Sequence, residues 1–395
     1  MRAGTGAVLA AVVLLALGAG MWLGGHPEKL PEPLRDVFVD ETASVQVQAA
    51  DIIEENYYRR VGEQRLRDAS LRGMVRSLGS RFSHYFTPEE NRLFRESASG
   101  EFSGVGMTVV ERPRGLLVAG VFEDSPAEEE GIRAGDLITA VDGKSIAGKS
   151  SEVSTALIKG EPGTHVRLTV RRRGSDTRRL RVRRERIRVP AADGALRRSG
   201  GRRVGVVELS TFSSGAHAEL IAELERLERR RAEGFVLDLR ANGGGLLDEA
   251  VLVASAFVPD GVIVTTDGRA RPRRVFEATG QTATRKPVVV LVDRGTASAS
   301  EIVAAALHDR LESPVVGLKT FGKGVFGQIF NLSNGGALDL VVGNYYTPSG
   351  RNLNRRGITP DERVRDDPDT RRDEALDRAL ATLGETIARS DRRSG

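Results

Sequence analysis

Cysteine is absent from this 395-residue sequence. A disulfide, a thiol nucleophile and a cysteine metal site are therefore all excluded. Histidine occurs only five times, at scattered positions without the spacing of metal ligands, so we expect no metal and no other cofactor. A large charge of either sign is missing too, because 59 basic residues face 54 acidic ones and leave a formal charge of +5. This small excess predicts no nucleic-acid partner.

Charged residues are also missing from the stretch between Ala3 and Gly25. Its apolar centre, Ala7–Leu23, approaches the ~20 residues that a membrane-spanning helix needs. We predict that residues 1–25 are a signal peptide or an uncleaved signal anchor. Either alternative places the rest of the chain outside the cytoplasm, secreted or anchored to the cell membrane on its periplasmic or cell-envelope side.

The most informative stretch is Val288–Gln328, in which an apolar strand leads through small residues into a helix. Ser298 stands at that turn, where helix N–H groups favour a developing anion, so it is a candidate nucleophile. Lys323 follows 25 residues later (323 − 298) between two glycines. Burial disfavours the charged form of a lysine, so the two residues could form a Ser-Lys dyad. Alternatively, Ser298 and Glu301 form a helix-capping box and Lys323 is a solvated loop residue.

The three segments TASASEI, TFGKG and YYTPSGRNLNRRGITPD, in this order, resemble the C-terminal processing peptidases, also called tail-specific proteases. The resemblance implies that Ser298 is the nucleophile and Lys323 the general base. It also implies a glutamine four residues after the lysine, but Gly327 occupies that position and the glutamine is Gln328. A one-residue slip turns a strand side chain to the other face, although a bulge at Gly327 could restore it. Gln328 is thus a candidate orienter of Lys323.

Asp309 matches an acidic position to which a catalytic role is assigned in some members of that family. It follows Ser298 by eleven residues (309 − 298) on what looks like one helix, which corresponds to about 16 Å along the axis. That separation excludes a direct contact in a triad, and it excludes His308 as the base for the same reason. We expect Asp309 to support the fold or the segment that carries Lys323.

A second glycine motif, LDLRANGGG, begins at Leu237 and resembles the LDLRxNxGG motif of the same family. Glycine allows the backbone to approach a substrate carbonyl closely. The resemblance implies an oxyanion hole that combines the N–H groups of Gly244 and Ala299. A tight turn between a strand and a helix is the alternative interpretation.

Between Phe102 and about Val189 the sequence predicts a PDZ domain, because Gly104-Val-Gly-Met107 is followed by DSPA and GIRAGDLITAVDG. The loop made by Gly104, Val105, Gly106 and Met107 would hold a terminal carboxylate with its N–H groups. A bound peptide would add a strand beside Met107–Glu111 and contact Val153, Leu157 and Ile158 of the following helix. A PDZ domain that serves only as a packing module is the alternative.

The predicted fold class is α/β with several domains, arranged around a catalytic core of βα units of the C-terminal processing peptidase type. The predicted boundaries are 1–25 for the signal segment, 26–100 for a helical N-terminal region, 101–189 for the PDZ domain, 190–365 for the protease core and 366–395 for a charged C-terminal helix. The helical region is expected at Val45–Leu78, and the C-terminal helix is expected on the surface or in an assembly.

The function that these observations predict is a serine endopeptidase that cleaves proteins selected by their accessible C-terminal tails. The resemblance implies that the helical N-terminal region assists in forming a homo-oligomer, and packing of this region onto the protein's own body is the alternative. A catalytically silent PDZ scaffold that binds such tails is the first alternative, and the displaced Gln328 favours it. An esterase or amidase with the same dyad is the second, and the PDZ domain argues against it.

Overall fold

The computed structural model describes residues 41–149, 151–172, 176–367 and 369–394. The predicted signal segment at residues 1–25 lies outside this range. None of the described helices is both long and apolar enough to cross a lipid bilayer. The described chain divides after Thr87 into two compact units, each with its own internal contacts.

The first unit contains two helices and a short strand, so the helical prediction for Val45–Leu78 is confirmed with one break. The break lies between Asn56 and Glu63, and Gly62, with an extended backbone, is the residue that caps the second helix. Several apolar side chains of this unit are exposed, among them Val45 and Tyr58. The elements are α1 (Glu41–Asn56), α2 (Glu63–Ser77) and β1 (His84–Phe86).

The second unit begins with the predicted PDZ domain, whose sheet has the strand order β3–β4–β5–β7–β8, with β6 paired to β5. β3 lies at one edge of this sheet and pairs with β4 alone, and α5 contacts it. Outside this sheet, β2 pairs with β9 in an antiparallel two-stranded sheet. The elements are α3 (Pro88–Ser99), β2 (Glu101–Gly104), β3 (Met107–Arg112), β4 (Gly115–Val121), α4 (Pro126–Glu129), β5 (Leu137–Val141), β6 (Lys144–Ser145), α5 (Ser151–Ile158), β7 (His165–Arg171), β8 (Thr177–Arg183) and β9 (Glu185–Arg188).

A sheet with the order β10–β11–β12–β15–β16–β19 forms the centre of the remaining chain, and all its pairs are parallel except β10 with β11. Its two central strands, β12 and β15, are buried along their whole length and apolar except at Asp238, as is typical of parallel strands covered on both faces. The elements in order are β10 (Ala192–Ser199), β11 (Arg202–Leu209), α6 (Ala216–Arg229), β12 (Phe235–Asp238), α7 (Leu247–Ser255), β13 (Val262–Gly268), β14 (Arg271–Glu277), β15 (Val288–Val292), α8 (Ala299–Leu311), β16 (Val315–Gly317), β17 (Val325–Asn331), β18 (Ala337–Tyr346), β19 (Glu362–Arg363) and α9 (Glu374–Ser394).

Helices cover both faces of this parallel sheet. Residues of α6, α7 and α8 pack on one face in a single large cluster. On the other face α9 buries a stripe of apolar side chains against the sheet, namely Ala375, Ala379, Leu380, Leu383 and Ile387. α9 is thus a helix with one covered side, because its small and apolar residues recur every three to four positions, while many of its charged residues stay exposed.

Strands β17, β18, β13 and β14 form an antiparallel arrangement in that order beside the parallel sheet. The β17–β18 pairing is irregular between Phe326 and Gly327, where the partner changes from Gly343 to Val341. The extra residue is thus Val342 on β18. The expected fold class, mixed α/β with a PDZ domain and a core of βα units, is confirmed.

Candidate active site

Ser298 is the residue that joins the loop after β15 to the first turn of α8. Its backbone has φ 58° and ψ −117°, a conformation that a residue with a side chain adopts only at an energetic cost. The loop before it is fixed by Asp293, whose carboxylate accepts the N–H groups of Gly295 and Thr296 at 2.8 and 3.0 Å. Strain held in this way is typical of a functional position.

The neighbouring Ser300 has a different environment. Its side chain is fully buried, and its hydroxyl donates to the carbonyl of Asn242 at 2.9 Å. Ser298 is only half-buried. Of these two serines, Ser298 is therefore the one placed to meet a substrate.

Gly244 lies directly against the Ser298 turn. Its φ is +101°, and a Cβ atom there would come within 2.9 Å of both the Ala299 nitrogen and the Ser298 Cβ. A residue with a side chain at this position would displace Ser298, which explains a glycine here.

The N–H of Gly244, a predicted oxyanion donor, donates to the side-chain oxygen of Asn242 at 2.9 Å. Asn242 is fully buried, and its own amide donates to the Leu209 carbonyl at 2.6 Å. The N–H of Ala299 stands at the first helical position, where a helix provides no acceptor. The two predicted donors thus lie side by side, but one of them is engaged by Asn242 in this structure.

The loop that carries Lys323 runs along the start of α8. The N–H of Phe321 donates to the Thr296 carbonyl at 3.0 Å, and the N–H of Arg355 donates to the Gly322 carbonyl at 2.8 Å. A Cβ atom on Gly324 would come within 2.2 Å of the Asn354 nitrogen, so the loop packs closely on the segment after β18. Lys323 itself is half-buried.

Glu301 connects the two halves of the predicted dyad. One carboxylate oxygen accepts the backbone N–H groups of Ser298 and Lys323, both at 2.9 Å. The other accepts the Gly322 N–H at 2.8 Å and the Thr320 hydroxyl at 2.5 Å. The side chain is fully buried. A single carboxylate therefore fixes the backbone of the candidate nucleophile relative to that of the candidate base.

Tyr345 of β18 lies at the same place and is almost fully buried. Its phenol oxygen is hydrogen-bonded to the Lys323 carbonyl and lies 3.4 Å from the Ser298 carbonyl. Burial, reinforced by the nearby charge of Glu301, raises the pKa of this phenol well above its usual value. Tyr345 therefore remains a neutral O–H donor.

The side chain of Gln328 lies on β17 and accepts a hydrogen bond from the guanidinium of Arg271 on β14. The pairing is irregular beside Gly327, but the additional residue is Val342 on β18, so β17 itself contains no extra residue at Gly327. A role for Gln328 in orienting Lys323 stays a prediction.

Asp309 binds the turn after β18. Its carboxylate accepts the hydroxyl and N–H of Ser349 at 2.6 and 3.1 Å and the guanidinium of Arg351 at 2.9 Å. Burial alone would raise the pKa of Asp309, but the hydrogen bonds from Ser349 and the charge of Arg351 outweigh it and hold the pKa below its usual value. The neighbouring His308 lies 3.4 Å from both Asp309 and Asp361.

The loop proposed to bind carboxylates in the PDZ domain connects β2 to the edge strand β3. Val105 is buried, and Gly106 has φ +83° with Ser125 so close that a Cβ atom would lie 2.2 Å from the serine Cβ. The Gly106 carbonyl accepts the N–H of Phe122 at 3.0 Å and the hydroxyl of Ser125 at 3.1 Å. The predicted contact residue Val153 has a side chain outside the described part of the structure.

Metal ligands are not grouped in the described chain: none of its histidine, aspartate and glutamate side chains form a cluster of three that could hold an ion. The sequence analysis missed Tyr345 and Asn242, and it interpreted Glu301 only as a possible helix cap. The signals for them were present in the sequence, since Glu301 lies in TASASEI and Tyr345 in YYTPSG. Their contacts with Lys323 and with the Gly244 loop arise only in the folded chain.

Comparisons with known proteins agree with this architecture. The family model described as Peptidase family S41 matches residues 203–364, and the model described as PDZ domain matches residues 103–183. A crystal structure of a putative S41 protease from Bacteroides fragilis has a TM-score of 0.53 at 19% identity, covering 84% of this chain and 92% of that one. At this identity the likeness concerns the fold alone. The class of protein is thus a PDZ domain joined to an S41 core.

Curated relatives narrow the class. A carboxyl-terminal-processing protease of Synechocystis sp. is 34% identical over 367 residues, which cover 89% of this chain and 86% of that protein. The carboxy-terminal processing protease CtpA of Bacillus subtilis is 34% identical over 313 residues, covering 79% of this chain and 66% of that protein. The chain thus spans slightly less than two thirds of the Bacillus protein. It belongs to the family of carboxyl-terminal-processing proteases, peptidase family S41.

Proposed function

We propose that this protein is a serine endopeptidase with a Ser298–Lys323 dyad, which cleaves proteins selected through their C-terminal tails. The observation that carries the proposal is the carboxylate of Glu301, which accepts the N–H groups of Ser298 and Lys323 at 2.9 Å each. An isolated helix cap requires only the first of these bonds. The second bond holds the backbone of Lys323, from the loop between β16 and β17, beside the turn that carries Ser298.

The reaction follows from the residue types. Lys323 in its neutral form takes the proton of the Ser298 hydroxyl as the oxygen bonds to the peptide carbonyl carbon. The negative oxygen accepts a hydrogen bond from the N–H of Ala299. The N–H of Gly244 provides a second one after its hydrogen bond to Asn242 has broken. The C–N bond then breaks, and the protonated lysine gives its proton to the leaving amine. Water then attacks the carbonyl of the acyl-enzyme in the same way, and the ester bond to Ser298 breaks.

Substrate selection is assigned to the PDZ domain. β3 lies at the edge of its sheet, so an extended peptide can pair with it and place its terminal carboxylate at the loop formed by Gly104–Met107. Equal binding of a peptide and its C-terminally amidated form would contradict this assignment. Protein substrates with accessible C-termini are the expected partners.

The place of action that we propose is outside the cytoplasm. The uncharged stretch from Ala3 to Gly25 supports it, since such a segment directs export and can remain as a membrane anchor. A homo-oligomer is a further expectation for the helical N-terminal region.

The test is cleavage of an unfolded reporter that ends in an apolar tail, by the full-length chain in mild detergent. Ser298→Ala and Lys323→Ala should each reduce cleavage to background, while all three proteins bind the tail equally. Ser300→Ala is the matched control, since it removes a neighbouring hydroxyl, and it should keep Ser298 reactive. Cleavage that survives Ser298→Ala would overturn the nucleophile, and tail binding without any cleavage by the wild type would favour the PDZ scaffold.

A further inference from the structure

Two adjacent tyrosines end β18 and face opposite sides of it. The first, Tyr345, is 1% exposed, and the second, Tyr346, is half-buried on the other face. A buried tyrosine usually has a partner for its hydroxyl. For Tyr345 that partner belongs to the candidate active site.

Tyr345 holds the lysine loop with consecutive backbone contacts. Its phenol is hydrogen-bonded to the Lys323 carbonyl, and its own N–H donates to the Gly324 carbonyl at 3.2 Å. The amide of Asn352 completes the arrangement by donating to the carbonyls of Gly324 and Tyr345, both at 2.9 Å. The loop is thus fastened to the end of β18 at two successive residues.

The same phenol oxygen lies 3.4 Å from the Ser298 carbonyl. Glu301 holds the N–H groups of Ser298 and Lys323, and Tyr345 contacts the carbonyl groups of the same two residues. The peptide units on both sides of each residue of the pair are therefore contacted by the same two buried side chains, Glu301 and Tyr345. Sub-ångström changes in such a spacing have large effects on proton transfer and nucleophilic attack.

We propose that Tyr345 is a positioning residue of the Ser298–Lys323 pair, acting through the carbonyl groups of both. The proposal rests on the proposed function, because it presumes that the pair performs the chemistry. The phenol does not reach the substrate in this role. It fixes the direction from which the Lys323 side chain leaves its loop, while its neutral O–H group donates without adding charge beside Glu301.

The experiment uses the full-length chain with Tyr345→Phe, which keeps the ring and removes only the hydroxyl. The control is Tyr346→Phe, the same change on the adjacent residue. A fluorophosphonate first counts the reactive Ser298 sites in each protein, and the labelling rate and the kcat and KM for a tail peptide are then expressed per site. Counting the sites separates a protein that is partly unfolded from one that is folded and misaligned.

We expect Tyr345→Phe to keep the number of labelled sites and to lower both kcat and the labelling rate per site about 10-fold, with KM within about 2-fold of wild type. Tyr346→Phe should match wild type in each quantity. Wild-type rates per site in Tyr345→Phe would overturn the proposal, as would a loss confined to the number of labelled sites. A wild-type protein in which Ser298 is not labelled and no peptide is cleaved would instead overturn the proposed function.

Discussion

Two buried carboxylates lie on α8, at its beginning and near its end. Glu301 accepts hydrogen bonds from the backbone of Ser298, Gly322 and Lys323 and from the hydroxyl of Thr320. Asp309, eight residues later (309 − 301) and about 12 Å farther along the axis, accepts hydrogen bonds from the turn at Ser349 and Arg351. From the sequence, Asp309 was expected to support the fold or the segment that carries Lys323, and Glu301 was interpreted as a helix cap.

The difference between them is what each carboxylate holds in place. Glu301 binds the backbone N–H groups of both residues of the proposed dyad. Asp309 contacts neither residue and binds the turn after β18 instead. This turn continues into Asn352 and Arg355, which donate hydrogen bonds to the carbonyls of Gly324 and Gly322 on both sides of Lys323. Asp309 can thus influence Ser298 and Lys323 without contacting either of them. Because Glu301 contacts both directly, we expect its substitution to have the larger effect.

The largest effect is expected for Glu301→Gln. The glutamine amide has one acceptor oxygen and an NH₂ group that would face N–H donors, so some of the four donors lose their partner, at a cost of about 1–3 kcal/mol each. We expect peptide cleavage to fall about 100-fold or more per folded molecule, because Ser298 and Lys323 lose their common acceptor. The measurement is the rate of peptide cleavage divided by the number of labelled Ser298 sites.

The matched control is Asp136→Asn in the PDZ domain, where a buried carboxylate pairs with Arg172 at 2.7 Å. It should lower stability and tail binding while it leaves the labelling rate of Ser298 unchanged. A labelling rate for Glu301→Gln equal to that of this control would show that Glu301 only stabilises the fold.

A smaller effect is expected for Asp309→Asn. Asparagine retains an acceptor for Ser349 and loses the charge that attracts Arg351, so the turn loosens without collapsing. We expect kcat to fall about 10-fold with a small change in KM. Asp309→Asn should also lose the protection of the 349–351 backbone against hydrogen exchange. Unchanged exchange together with a complete loss of cleavage would contradict the indirect role and indicate direct participation.

The smallest effect concerns acid stability. Because the pKa of Asp309 is lowered in the folded protein, its stabilising contribution is fully present above the unfolded pKa of about 4 and is lost as the pH falls through the lower folded value. The charged or titratable side chains that face it are Arg351 and His308. The difference in unfolding free energy between wild type and Asp309→Asn should therefore shrink below about pH 4.

Urea titrations at pH 7 and at about pH 3 measure this difference. His308→Gln in both backgrounds removes the neighbouring imidazole. A difference between wild type and Asp309→Asn that grows as the pH falls would contradict the assigned direction of the pKa shift.

Local patterns predicted much of this molecule. The turn at Ser298, the glycines near Gly244 and the PDZ motif each depend on residues close in sequence, so spacing and resemblance were sufficient. The acceptor role of Glu301 for Lys323 could not be predicted in this way, since the capping box explained the residue locally. Tyr345 and Asn242 act through contacts between distant segments. The element that α9 packs against was not predicted, because contact between this helix and the parallel sheet joins segments distant in sequence.

The central claim is that the backbones of Ser298 and Lys323 are held together by Glu301. The most direct measurement is the rate of fluorophosphonate labelling of Ser298 per folded molecule in wild type, Lys323→Ala, Glu301→Gln and Asp309→Asn. The account predicts that Glu301→Gln labels nearly as slowly as Lys323→Ala, with Asp309→Asn between them and wild type. A Glu301→Gln protein that folds and labels at the wild-type rate would contradict it.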